Sequence, residues 1–154
     1  MTDLDLTLTR VFDAPRELVF EVWTNPDHLA KWWGPTGFTA TSCTVKLAEG
    51  GQWRTCIRDS ANDVERWAGG VYHEIRRPER LVFSFAWEEP TGAPGHDTLV
   101  TVTFADRDGR TEMTFHQAIF ETVESRDGHE GGWRESFDDL NAHLDAITRN
   151  KEHG

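Results

Sequence analysis

Cysteine is scarce in this 154-residue chain, which has Cys43 and Cys56 alone. That is too few for a disulfide framework, and the two lack the close pairing of a metal-binding motif. Both fall in strand-like runs, where a small buried thiol is the expected state. Basic residues are also few. Lys and Arg number 16 against 27 Asp and Glu, for a formal net charge of -11. The densest basic cluster is Arg76, Arg77 and Arg80, and Pro78 and Glu79 break it. This balance argues against a nucleic-acid backbone or an anionic membrane surface as partner. No apolar run approaches the ~20 residues of a membrane span. Residues 1–6 carry neither a basic segment nor a long apolar stretch, so no secretory signal is expected and a cytoplasmic location is. Catalytic signatures are equally thin: no glycine-rich phosphate loop, no metal-ligand cluster and no nucleophile beside an obvious base. No metal or cofactor is expected, and binding is expected ahead of catalysis. The length suits one domain spanning residues 1–154 with a real core.

Aromatic residues are plentiful by contrast, with 7 Trp and 9 Phe. Trp133, Phe137, Leu140, Leu144 and Ile147 recur at steps of four, three, four and three. That is one face of an α-helix. Arg134, Glu135, Asp138, Asp139, Asn141, His143 and Asp145 fill the other side. The apolar stripe needs a surface to lie on. Gly128, Gly131 and Gly132 each cost a helix about 1 kcal/mol against alanine, so the helix is expected to start between Thr122 and Gly131.

The rest of the chain supplies that surface. Residues 4–12 alternate with period two, the pattern of a half-buried strand. A first short helix follows, with Asp13 or Ala14 as cap and Pro15 in its first turn. A second has Asn25 as cap and Pro26 as first residue, and is expected to carry Leu29, Trp32 and Trp33 before Gly34-Pro35 ends it. Strands are then expected at 38–45, 52–58, 65–76, 81–87, 98–104 and 111–118. Turns fall at Glu49-Gly50-Gly51, Ser60 to Asp63, Arg77 to Arg80 and Asp106 to Gly109, and a Pro/Gly-rich loop occupies 88–95. Gly69-Gly70 inside a strand marks a bend or a close backbone approach. The result is about seven strands, mostly hairpin-joined and so antiparallel, with one long closing helix: an α+β fold.

Several segments resemble one family. Ala14-Pro15, Val19-Phe20, Trp23-Thr24-Asn25-Pro26, Leu29 and Trp32-Trp33-Gly34-Pro35 are similar to its start. Gly50 to Trp53, Gly70 to Ile75 and Pro78 to Phe83 are similar to its middle. Thr111 to His116 and Gly132-Trp133 are similar to its end. The family is the activator of heat-shock protein 90 ATPase homologue-like group of the START-like (SRPBCC) superfamily. The resemblance implies a helix-grip fold, in which a curved antiparallel sheet wraps a C-terminal helix with a cavity between them. It also implies an apolar or aromatic small-molecule ligand.

Resemblance and alternation together select Trp53, Thr55, Phe83, Phe85, Trp87, Phe104, Met113 and Phe115, with Val102, on the sheet. Trp133, Phe137 and Leu140 face them from the helix. The bland alternative is that these side chains fill the space themselves. Two other functions stay open. One is a cyclase or dehydratase using a pocket histidine or acid. The other is an interaction module, chaperone-linked or homodimeric, for which Trp32, Trp33, Phe38 and Trp67 are the candidate exposed aromatics. Among polar residues, His116 is expected at the surface or in a structural hydrogen bond, and Arg54 and Arg58 on a solvated face. Ser136 has no catalytic partner nearby in sequence. Asp139 and His143 form an exposed pair or half a metal site, and His129 and Glu130 are placed just before the helix, at the cavity mouth or, as first expectation, in solvent.

Overall fold

A computed structural model describes residues 4–93 and 95–153, with backbone only for 150–153. Residues 1–3, part of the opening segment, and Pro94, in the loop before the sixth strand, lie outside the described residues. The period-two pattern at the N-terminus forms β1 (Leu6–Phe12), burying Leu6, Leu8 and Phe12. α1 (Arg16–Thr24) follows, and Pro15 is its cap residue rather than part of the first turn. Its backbone is extended, at φ -69° and ψ 150°, a conformation its fixed ring torsion allows. Asn25 caps α2 (Pro26–Leu29) as expected, its Oδ1 accepting from the Asp27 N–H at 2.9 Å. This helix stops at Leu29, so Trp32 and Trp33 lie in the irregular segment beyond it, both buried.

The remaining elements are β2 (Thr39–Val45), β3 (Gln52–Asp59), β4 (Val64–Arg76), β5 (Arg80–Trp87), β6 (Thr98–Arg107), β7 (Arg110–Ala118) and α3 (Val123–His153). The strands form one curved antiparallel sheet in the order β1-β7-β6-β5-β4-β3-β2. The β6–β7 turn has positive φ at both Asp108 (56°) and Gly109 (89°), the mirror-image turn that suits strand twist. Asp106 Oδ1 accepts from the Gly109 N–H across it.

Register decides which side chains share a face. Trp53 opposes Gly70, Thr55 opposes Ala68 and Ile57 opposes Arg66. Ala68 in turn opposes Trp87. Leu81, Phe83 and Phe85 continue that face into Val102, Val100 and Thr98, and these into Phe115 and Gln117. α1, α2 and α3 cover this concave side, and the buried apolar cluster lies between. The glycines in β4 allow a close approach. A Cβ on Gly70 would stand 1.8 Å from the Ser84 carbonyl oxygen, and one on Gly69 2.8 Å from that of Trp53. The β4–β5 register shifts between Tyr72 and Glu74, and the extra residue there bends the strand.

Candidate functional site

The centre of the space between sheet and α3 is occupied by Trp23 of α1. Its ring lies 4.7–6.5 Å, centroid to centroid, from Trp32, Trp33, Phe83, Phe104, Phe115, Trp133 and Phe137. Offset and edge contacts of this kind add to the burial of each ring. Seven of the side chains selected from the sequence are buried on the concave face or against it: Trp53, Thr55, Phe83, Phe104, Met113, Phe115 and Phe137. None of the seven lines the open pocket beside this core. For Phe83, Phe104, Phe115 and Phe137 the physical reason is Trp23, which spans the gap they face; Trp53 packs instead on Trp33. The Trp23 indole N–H is buried and has no acceptor among the described residues.

That pocket, of about 390 Å³, lies between the first half of α3, the segment after α2, and strands β3 to β5. Phe85, Trp87 and Trp133 of the selected residues line it, joined by Trp33, Pro35, Phe38 and Ile57. Ile57 was legible, since it continues the alternation of Trp53 and Thr55. Trp33 and Phe38 carry an interaction role in the sequence reading, but Trp33 is 7 % exposed and Phe38 half-buried. Trp32 is buried as well, and Trp67 lies under the Arg54 guanidinium at 3.9 Å. Arg66, Glu124, Ser125, His129 and Ser136 bring polar groups to the wall.

A buried polar chain sets the position of Trp133. Its Nε1–H donates to Gln117 Oε1 at 2.8 Å, Gln117 Nε2 donates to Thr98 Oγ1 at 2.8 Å, and Thr98 Oγ1 donates to the Phe85 carbonyl at 2.8 Å. The chain links α3 to β7, β6 and β5. Low dielectric strengthens such bonds and makes each one costly to lose. Sequence reasoning passed over Gln117, although its parity with Met113 and Phe115 placed it on the buried face.

His129 is half-buried and lies inside α3, not in solvent before it, because the helix begins at Val123 despite its glycines. Trp87 Nε1–H donates to its Nε2 at 2.9 Å, and its Nδ1 lies 2.7 Å from the Ser125 carbonyl. Only the tautomer protonated at Nδ1 satisfies both bonds. Burial lowers its pKa, the Ser125 carbonyl opposes that shift, and the charge of Arg66 adds to it. With both ring nitrogens engaged, His129 is built to hold Trp87 rather than to exchange protons with a ligand.

The other polar candidates lie elsewhere. His116 Nε2 meets Asp5 Oδ2 at 2.9 Å, a structural bond. Arg54 forms a two-pronged pair with Glu88 at 2.7 and 2.8 Å, and Arg58 pairs with Asp63. Glu130 pairs with Arg134 one turn on. His143 bonds across to His28 of α2 at 3.1 Å. Burial, then the nearby His28 and Lys31 charges, lowers the His143 pKa. No group of three potential metal ligands occurs among the described residues. None of their helices is long and apolar enough to cross a membrane.

An antiparallel sheet curled against one long C-terminal helix, with an aromatic core and a side pocket between them, is the helix-grip class. The sequence model described as activator of Hsp90 ATPase homolog 1-like protein matches residues 13–145, and the chain belongs to that family. Solved structures agree. A protein from Arthrobacter aurescens is 27% identical, with TM-score 0.84, covering 94% of this chain and 87% of its own. Protein CV1439 from Chromobacterium violaceum is 25% identical, with TM-score 0.82 and coverage of 91% and 96%. The AHSA1 protein SPO3351 from Silicibacter pomeroyi, at 21% identity and TM-score 0.85, shares the fold over 93% and 99%. No curated protein matches the chain.

Proposed function

We propose that the protein binds an apolar or aromatic small molecule in the pocket beside Trp133, outside the core that Trp23 fills. The observation that carries this reading is the pocket itself, about 390 Å³ with aromatic walls. Its size lies at the lower end of ligand sites, which are mostly apolar with a few placed polar groups. Trp87 and Trp133 are held by their indole N–H bonds to His129 and Gln117, so two walls are pre-organised. This preformed geometry favours binding over a cyclase or dehydratase that uses the pocket histidine, because His129 has both nitrogens committed; of the pocket's groups, that leaves the Glu124 carboxylate for acid–base work. It also favours binding over an interaction module, because the tryptophans nominated for a surface are packed inward or stacked. A small-molecule binder is the reading that these features support.

The test is native mass spectrometry of protein purified from its own host, with extraction of whatever is released on denaturation, alongside titration with the neutral dye N-phenyl-1-naphthylamine. A stoichiometric apolar adduct, or saturable one-to-one dye binding lost on filling the pocket with Ser136→Phe, is the expected result. An apo mass together with no saturable dye binding would overturn the proposal.

A further inference from the structure

Arginine pairing is the rule in this acidic molecule. Carboxylates hold most of its arginines, from Arg10 with Asp138 at 2.9 Å to Arg134 with Glu130 at 3.6 Å. Arg66 is different. It lines the pocket, its guanidinium carbon lies 4.5 Å from the centre of the Trp87 ring, and no described residue forms a salt bridge or hydrogen bond with it. Stacking engages the face of a guanidinium and leaves the in-plane N–H donors open. Arg54, on neighbouring β3, shows the completed arrangement: it stacks on Trp67 and Glu88 takes its donors. At Arg66 the stacking partner is present and the carboxylate is not. Glu124 also lines the pocket but does not pair with it. It sits in the first turn of α3, where the helix dipole accounts for an acidic side chain. Ser136 is the second unused group. It lines the pocket, and its hydroxyl, which no described residue bonds, is accessible from the pocket rather than sealed in the core.

Resting on the binding reading above, we infer that the ligand is an aromatic or polycyclic acid. Its anionic group takes the open N–H edge of Arg66 at the pocket rim, its flat body lies among Trp33, Phe85 and Trp133, and a polar atom on that body bonds Ser136. The stacked guanidinium is pre-oriented for a planar anion, which supplies specificity as well as attraction.

Two dyes separate the claims, because 8-anilino-1-naphthalenesulfonate and N-phenyl-1-naphthylamine share one ring system and differ by a sulfonate. Both are titrated into wild type, R66Q and R66K. R66Q is expected to weaken the sulfonate dye about tenfold, equivalent to ~1.4 kcal/mol, and to leave the neutral dye unchanged, with R66K recovering part of the loss. Raising salt on the wild type gives the same split without any variant, because screening acts on the charged dye alone. Equal effects on both dyes would make Arg66 a piece of wall and overturn the anion assignment. So would the absence of any effect, while the pocket reading stands. Failure of both dyes to bind, together with an apo native mass, would remove the pocket reading itself.

Discussion

Two chemically identical substitutions, Trp23→Phe and Trp133→Phe, should have clearly different consequences. The rings belong to the same cluster, 6.4 Å apart, and are 3 % and 6 % exposed. Each substitution deletes the same atoms, and the void left behind costs about 24 cal/mol per Å³ in either place. The difference lies in the indole N–H. At Trp23 it is buried without an acceptor, so removing it recovers about 1–3 kcal/mol of desolvation and offsets the void. At Trp133 it donates to Gln117 Oε1. Gln117 is fully buried, so its stranded oxygen adds about 1–3 kcal/mol to the cost. The two variants should therefore differ by about 2–6 kcal/mol, with Trp133→Phe the weaker protein. Urea unfolding followed by far-ultraviolet circular dichroism reads this directly, provided the m-values agree. Destabilisations within about 0.5 kcal/mol of each other would refute the reasoning and mean that Trp23 has an acceptor after all.

Further expectations concern glycine and pH. Gly70→Ala should cost about 3 kcal/mol or more, since its Cβ would meet the Ser84 backbone and the pairing between the two strands would have to give. Gly131→Ala should instead gain up to about 1 kcal/mol, because nothing lies within 4 Å of the new Cβ and only helix propensity changes; thermal melts giving the same sign for both would sink this contrast. His129 and His143 both have lowered pKa values in the folded state. At these two sites the unfolded chain therefore takes up protons first as pH falls through about 6.5, so their contribution to stability drops on acidification toward pH 5. The Tm of the double variant His129→Gln, His143→Gln should vary less with pH across that window; a variant Tm that falls as steeply as the wild type's would contradict the assignment.

The strand pattern was legible because alternation needs only local sequence. The concave face could be assembled by parity from Trp53 through Phe115, and the caps at Asn25 and Pro26 follow from the chemistry of two residues. What sequence could not show is where α1 points Trp23. Its position on the apolar side of a short helix was readable, but its reach to seven other rings depends on how that helix crosses the sheet. The same limit applies to His129. The glycines beside it obscured the helix start, and only the contact with Trp87 reveals its task. Nothing in the sequence separates Arg66 from the other charges of β4; its place beside the Trp87 ring at the pocket is a tertiary fact.

The strand order has a consequence in time as well as in space. Among the described residues β1 pairs with β7 alone, so Leu8 lies opposite Phe115, and the first of the seven strands waits for the last. Until that late strand arrives, the aromatic side chains of β3 to β5 have neither a closed sheet nor α3 to cover them. Contacts this distant in sequence slow folding, because the loop entropy is lost before the burial is gained. Until the sheet closes, the aromatic face lacks the cover that the folded protein gives it, the kind of exposed apolar surface that favours aggregation.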